Sequence, residues 1–339
     1  MTRVLVARLD SMGDVLVSGP AVRAVAASGD EVVLLAGPQG AAAARLLPGV
    51  AEVRVLAAPW QTATDRPVDH AMVEEVASLV RGTGVSKAVV LTSFHQSPLP
   101  LAMLLRLAGV TDITGASVDA AGGLLSTRLI PGEDLEEDQP EPLRALEIAR
   151  AAGYALPAGD DRLAVDLPAD RSPAAPDGPY VAVHPGAAVP ARAYPAESHR
   201  AVVAELAARG HRVVVTGAPA ERDLTAHVAG DVGIDLGGAL DLPDLGRLLR
   251  DAAVVVTGNT GPAHLAAAVR TPVVSLFAPV VPPVRWEPWG VPVALLGDQQ
   301  APCRGSRARV CPVPGHPCLA SVPPATVVDA AERLMGAPS

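Results

Sequence analysis

Residues 254–275 read VVVTGNTGPAHLAAAVRTPVVS. A β-branched apolar run at 254–256 gives way to a glycine-punctuated turn at 257–262. A small-residue helix at 264–269 follows, stopped by Thr271-Pro272 and a second apolar run. Strand, tight loop, helix, strand is the unit from which parallel α/β sheets are assembled. A loop feeding a helix N-terminus presents unpaired backbone N–H groups and the positive end of the helix dipole, which together suit a phosphate. Gly258 and Gly261 allow positive φ and close approach of a ligand, Thr260 adds a hydroxyl, and His264 falls in the first helical turn. Taken alone, the stretch also reads as an ordinary βα turn whose glycines serve only a sharp reversal.

The same alternation extends outward in both directions. Residues 3–9 are rich in Val and Leu on both faces, as a strand buried in a parallel sheet should be. A turn at 10–14 leads to a helical pattern over 15–27, interrupted by Gly19-Pro20. Strands are expected at 31–36, 53–56 and 87–92, with helices at 40–47, 68–81 and 98–108. A proline-rich, broken stretch at 156–179 suits a linker. Beyond it come strands at 180–184, 212–216 and 234–236 and helices at 198–209, 220–229 and 242–250. Asp241 is the N-cap of the last of these, with Pro243 in its first turn. Two α/β domains are therefore expected, 1–168 and 179–339, with a ligand cleft at the carboxyl ends of their sheets. No strand is followed by G-x-G-x-x-G with an acidic residue about 20 positions on, which speaks against a dinucleotide. A sugar nucleotide needs a diphosphate cradle in one lobe and an acid or base in the other, and both are present.

Composition narrows the partners. The 339 residues are 49% hydrophobic and 19% charged, with only 2% aromatics and a formal net charge of −9. Few rings are available for base stacking and the charge repels polyanions, so no nucleic-acid partner is expected. Thr2-Arg3 leads straight into Val4-Leu5-Val6, and Asp10 and Asp14 interrupt any leader-like core, so a cytoplasmic location is expected. Three cysteines, an odd number, fit a reducing compartment.

Four segments, taken together and in order, resemble the ADP-heptose:lipopolysaccharide heptosyltransferase family. They are RLDSMGDVLVSGPAVRAV at 8–25, HPGA from His184, TGAPAERD from Thr216 and GNTGPAHLAAA from Gly258. The resemblance implies a GT-B fold of two Rossmann-like lobes, with acceptor held mainly by the N-terminal and nucleotide sugar mainly by the C-terminal domain. It also implies a final helix, about 325–335, that packs back on the first lobe.

Position by position, the resemblance makes Asp14 the general base that takes the acceptor hydroxyl proton; read bottom-up, the same residue is a helix N-terminal carboxylate that complements the dipole. Arg192 falls where the family tends to have a lysine and is expected to hold the departing diphosphate bidentately, the alternative being a solvated loop cation. Glu221 matches an acid that contacts the nucleoside, or else a helix-terminal charge. Gly258, Thr260, Gly261 and His264 become the diphosphate cradle. Asn259 stands where many members carry aspartate and can contact sugar hydroxyls, so the donor sugar could differ from heptose. Asp10, Ser93, His95 and Gln96 are candidate acceptor contacts, the last three doubling as a polar cap before Pro98. Cys303, Cys311 and Cys318 with His316 would be a zinc ligand set only at unusually wide spacing, so buried thiols are the default and no metal or cofactor is expected.

The expected function is an inverting glycosyltransferase moving a sugar, foremost heptose, from ADP to a glycan, glycolipid or small-molecule hydroxyl. Alternatives within the fold are another nucleotide-sugar donor, a sugar-nucleotide epimerase or a binding protein. The apolar helix at 98–108 offers a peripheral membrane contact, or is simply a core helix.

Overall fold

The computed structural model describes residues 2–61 and 66–336. Residues 1, 62–65 and 337–339, included in the expected domains, lie outside the described residues. The chain divides into two compact units, Met1–Asp166 and Leu167–Ser339, with the boundary inside the proline-rich stretch.

The first unit is built on six parallel strands: β1 (Arg3–Arg8), β2 (Glu31–Ala36), β3 (Val50–Val55), β4 (Lys87–Val90), β5 (Asp112–Ala116) and β6 (Thr127–Leu129). Their order in the sheet is β3-β2-β1-β4-β5-β6. β1 and β2 pair from Arg3 with Glu31 through Arg8 with Ala36. Their Val and Leu side chains are buried on both faces, which is why no polar alternation shows in the sequence. β5 and β6 escape the sequence reading because one contains Asp, Thr and Gly and the other is three residues long. The pattern over 15–27 resolves into two helices, Met12–Val17 and Gly19–Ala27, hinged at Ser18. Pro20 has no N–H to donate into a continuous helix, but none is needed in the first turn of a new one.

The second unit repeats the plan with β7 (Tyr180–His184), β8 (Arg212–Gly217), β9 (Ile234–Gly237), β10 (Val254–Gly258), β11 (Val273–Leu276) and β12 (Val293–Leu296). The order is β12-β11-β10-β7-β8-β9, again all parallel. Asp241 caps the helix Leu242–Asp251, its side chain accepting from the Asp244 N–H at 2.8 Å, as its place before Pro243 predicts. The final helix, Pro324–Gly336, buries Val327, Val328, Ala330 and Ala331 in the second unit's own core. In each sheet the chain reverses its direction of travel at the central pair, β1/β4 and β7/β10. Crevices that hold ligands open at the carboxyl ends of such pairs.

One buried group couples this packing to pH. His199, on the helix Ala196–Ala208, is 1% exposed and meets the Tyr194 ring edge-on at 5.0 Å. Burial, reinforced by His184, pushes its pKa down to about 3. The folded state keeps the ring neutral while an unfolded chain would protonate it below about 6.5, so stability is lost as pH falls from there. Replacing His199 with Phe should remove about 2 kcal/mol of the destabilisation between about pH 7.5 and about pH 5, seen as a smaller fall in Tm. An unchanged pH slope in His199→Phe would contradict this.

Candidate functional site

Arg8 ends β1 with only 1% of its surface exposed. A buried guanidinium has to be paired, and here three carboxylates share it: Asp10 at 2.8 Å, Asp14 at 3.0 Å and Glu141 at 3.8 Å. It also donates to the Ser93 hydroxyl at 2.8 Å. Gln96 closes the ring, its amide nitrogen donating to the second oxygen of Asp10 at 2.5 Å while its carbonyl accepts from the Ser93 N–H at 2.9 Å. Asp14 lies in the first turn of Met12–Val17, where its other oxygen accepts from the Ser11 N–H at 3.1 Å and from the Ser11 hydroxyl at 2.5 Å. It is therefore at once a helix-capping charge and a member of a buried ion network.

Two carboxylates a few residues apart are driven in opposite directions. Burial alone would raise both. At Asp14 the Arg8 guanidinium and the Ser11 hydrogen bonds outweigh burial and hold the group below the usual carboxylate range. At Asp10 burial, helped by the charge of Asp14, outweighs Arg8 and Gln96 and holds the group above it. Asp14 is thus the carboxylate that stays ionised.

Of the four acceptor candidates, Asp10, Ser93 and Gln96 are drawn together with Asp14. His95 is exposed, with its ring edge-on to Phe94 at 5.4 Å. Arg8 and Glu141 were not among the sequence candidates. An arginine closing a strand buried on both faces is the available signal for Arg8; Glu141 starts a helix far along the chain, Glu141–Ala151, and gives none.

In the second unit, β10 ends at Gly258 and the helix Gly261–Ala268 begins behind Thr260. Thr260 is extended, at φ −143° and ψ 171°, and makes no side-chain cap; its hydroxyl lies 3.3 Å from that of Thr257. Its N-cap place leaves the helix dipole and the hydroxyl at one end of the crevice. Neither Gly258 nor Gly261 takes a positive φ, so conformational freedom is not what glycine supplies at either position. At Gly258 the reason is proximity: a Cβ there would stand 3.2 Å from the Arg192 carbonyl. The turn Pro190–Arg192 is thereby seated against the end of β10. Asn259 is 4% exposed and its amide nitrogen has no hydrogen-bond partner among the described residues. His264 is buried in the first helical turn and faces the Trp286 ring edge-on at 6.5 Å.

Glu221 reaches the end of the neighbouring strand. Its carboxylate accepts from the Ala218 N–H at 2.8 Å and lies across Gly186, where a Cβ would come within 2.2 Å of a carboxylate oxygen. It stands 3.9 Å from His184 Nε2, and His184 Nδ1 is 3.0 Å from the Thr216 hydroxyl. Burial, against the pull of Glu221, lowers the His184 pKa to about 4, which leaves the ring neutral.

Cys303 and Cys318 are buried and Cys311 partly so. Burial, with Cys303 and Cys311 alongside, pushes Cys318 up to about 12, a value that keeps it a thiol. Among the described residues no group of three or more His, Cys, Asp or Glu side chains is placed to hold a metal. His316 Nε2 is instead 3.1 Å from the Ala191 carbonyl. Nor, among the described residues, is any helix long and apolar enough to cross a membrane.

Comparison with known proteins bears on the family and the fold. The family model described as glycosyltransferase family 9 (heptosyltransferase) matches residues 96–315. Lipopolysaccharide heptosyltransferase 3 of Escherichia coli is 31% identical over 165 residues, 46% of this chain and 47% of that protein. The chain thus spans about half the length of the curated relatives it matches. A family 9 glycosyltransferase from Veillonella parvula superposes with a TM-score of 0.77 at 17% identity, over 98% of this chain and 97% of that one. An E. coli heptosyltransferase solved with ADP-2-deoxy-2-fluoro heptose gives 0.72 at 20% identity, over 98% and 99%. The structural likeness establishes the fold, a pair of Rossmann-like units of the GT-B class. With the family model covering most of the chain, the chain belongs to glycosyltransferase family 9, the heptosyltransferase family.

Proposed function

We propose that this protein is an inverting glycosyltransferase that moves heptose from ADP-heptose to a hydroxyl of a glycan or glycolipid. The observation that carries the proposal is Asp14, a carboxylate kept ionised by Arg8 and Ser11 at the carboxyl end of β1. Asp14 accepts the proton of the acceptor hydroxyl as that oxygen attacks the anomeric carbon from the face opposite the diphosphate. The bond from that carbon to the diphosphate oxygen breaks, and ADP departs with the electron pair. One displacement inverts the anomeric centre.

The departing diphosphate needs positive charge already in place. The Arg192 guanidinium and the N-terminus of the helix Gly261–Ala268 are the groups to supply it, with the Thr260 hydroxyl and His264 adding hydrogen bonds. Glu221, laid across Gly186, suits the ribose hydroxyls as a hydrogen-bond acceptor, and Asn259 suits a hydroxyl of the transferred sugar. The hydrogen bonds that draw Ser93, Gln96 and Asp10 around Arg8 and Asp14 support a role for them in orienting the acceptor. Exposed Met103 and Leu107 on the helix Leu99–Leu107 support an acceptor presented at a membrane surface. Arginine and helix dipole together meet the charge requirement, so no divalent cation is called for; activity abolished by chelation and restored by a metal would contradict that.

Asp14→Asn should lower kcat by about 10²- to 10⁴-fold and leave ADP affinity unchanged; lost ADP binding with intact turnover would contradict the assignment. Because Asp14 is held below the usual range, kcat/KM should stay level as pH falls from neutral towards about 5, and Arg8→Gln should move the acid limb upward. An acid limb near neutrality in the wild type would count against an arginine-held base. Gly186→Ala should displace the Glu221 carboxylate and weaken ADP binding about as much as Glu221→Ala does. Unchanged ADP affinity in both variants would remove Glu221 from the nucleoside site.

A further inference from the structure

The loop that follows β12 touches the turn bearing Arg192 at both backbone polar groups of a single residue. Ala191 donates its N–H to the Arg309 carbonyl at 3.0 Å and accepts from His316 Nε2 at 3.1 Å through its own carbonyl. Two residues past Arg192, Tyr194 donates its hydroxyl to the Val322 carbonyl at 2.7 Å, so the chain that follows β12 grips the backbone on either side of Arg192. On the remaining side the Arg192 carbonyl abuts Gly258, where a Cβ would leave only 3.2 Å.

The loop is itself anchored. Cys303, Cys318, Leu319 and Val322 are part of the second unit's core, as is Ala191, and the Arg307 N–H is bound to the Val280 carbonyl at 2.8 Å. His316 takes φ 51° and follows Gly315 at φ 79°. A left-handed conformation is costly for a residue with a side chain, and it persists where surrounding contacts hold it. Here it is the conformation from which the imidazole reaches the Ala191 carbonyl.

We propose that His316 is a positioning residue for Arg192: its Nε2–H fixes the Ala191 carbonyl and so aims the guanidinium at the diphosphate. This rests on the role given above to Arg192. A guanidinium that binds an anion bidentately depends on orientation more than a point charge does, so a backbone clamp one residue away bears on affinity for the diphosphate rather than only on folding. The requirement is for a hydrogen-bond donor at that point in space. Glutamine, which carries a donor amide, should substitute for histidine there, and alanine should not.

The test is a double-mutant cycle on the full-length protein, with ADP binding read by calorimetry, kcat and KM for the sugar donor, and Tm as a check on folding. His316→Ala should weaken ADP binding and raise KM by about tenfold, His316→Gln should restore most of both, and His316→Ala should add nothing in an Arg192→Ala background. An equal loss in the Arg192→Ala background, or a lowered Tm with ADP affinity unchanged, would overturn the positioning role. Should Arg192→Ala leave ADP affinity intact, the reading of Arg192 itself falls, and the proposal for His316 with it.

Discussion

Parallel strands fix where chemistry can be placed in this chain. All strand pairs in both sheets run the same way, so every strand delivers its following loop to one edge, and helix N-termini gather at that edge. A ligand needs a gap in the row of crossovers, and the strand order leaves one per sheet, beside the central pair. The residues singled out by chemistry fall at those gaps: Arg8, Asp14, Ser93 and Gln96 after β1 and β4, and Glu221, Arg192 and the Gly258–Thr260 turn after β7, β8 and β10. Strand interiors are occupied mostly by buried Val, Leu and Ala, and polar side chains such as those of Thr216 and Thr257 lie towards the carboxyl ends.

Within the first gap one buried charge organises the rest. Arg8 is surrounded by more carboxylate than it can neutralise, and the surplus is resolved by sorting: Asp14, with the guanidinium and two donors from Ser11, keeps its charge, while Asp10 is held towards its protonated form. In the proposed reaction the two take different tasks, Asp14 as proton acceptor and Asp10 as hydrogen-bonding scaffold. In the second gap the sorting is steric. Glycines at 186 and 258 leave space that Glu221 and the Arg192 turn fill, so those two groups are located by missing side chains as much as by attractive contacts.

The repeated strand–helix pattern made the class of fold legible, because fully buried parallel strands leave long apolar runs and their crossovers leave helical periodicity. β5, β6 and β12 were not legible: four or five residues at most, one containing glycine and aspartate, carry too few turns of a pattern. The loop assigned to the donor was readable as a unit since its residues are contiguous, from Gly258 to His264. Asp10, Asp14 and Ser93 were legible singly, but not their convergence on Arg8 or the place of Glu141, since Ser93 and Glu141 come from distant elements and only folding makes them neighbours. Positive φ is not why glycine stands at 258 or 261; at Gly258 the backbone of Arg192 is what excludes a Cβ. The clamp on Ala191 left no trace at all, because one of its two bonds is made by a backbone carbonyl.

The most direct measurement is calorimetric titration of the wild-type protein with ADP-heptose and, in parallel, with UDP-, GDP- and dTDP-linked sugars, repeated on Thr260→Ala and Arg192→Ala. Preferential binding of ADP-heptose, weakened by both substitutions, is the expected result. Preference for another nucleotide, or ADP-heptose binding indifferent to both substitutions, would contradict the assignment of the donor and its diphosphate cradle.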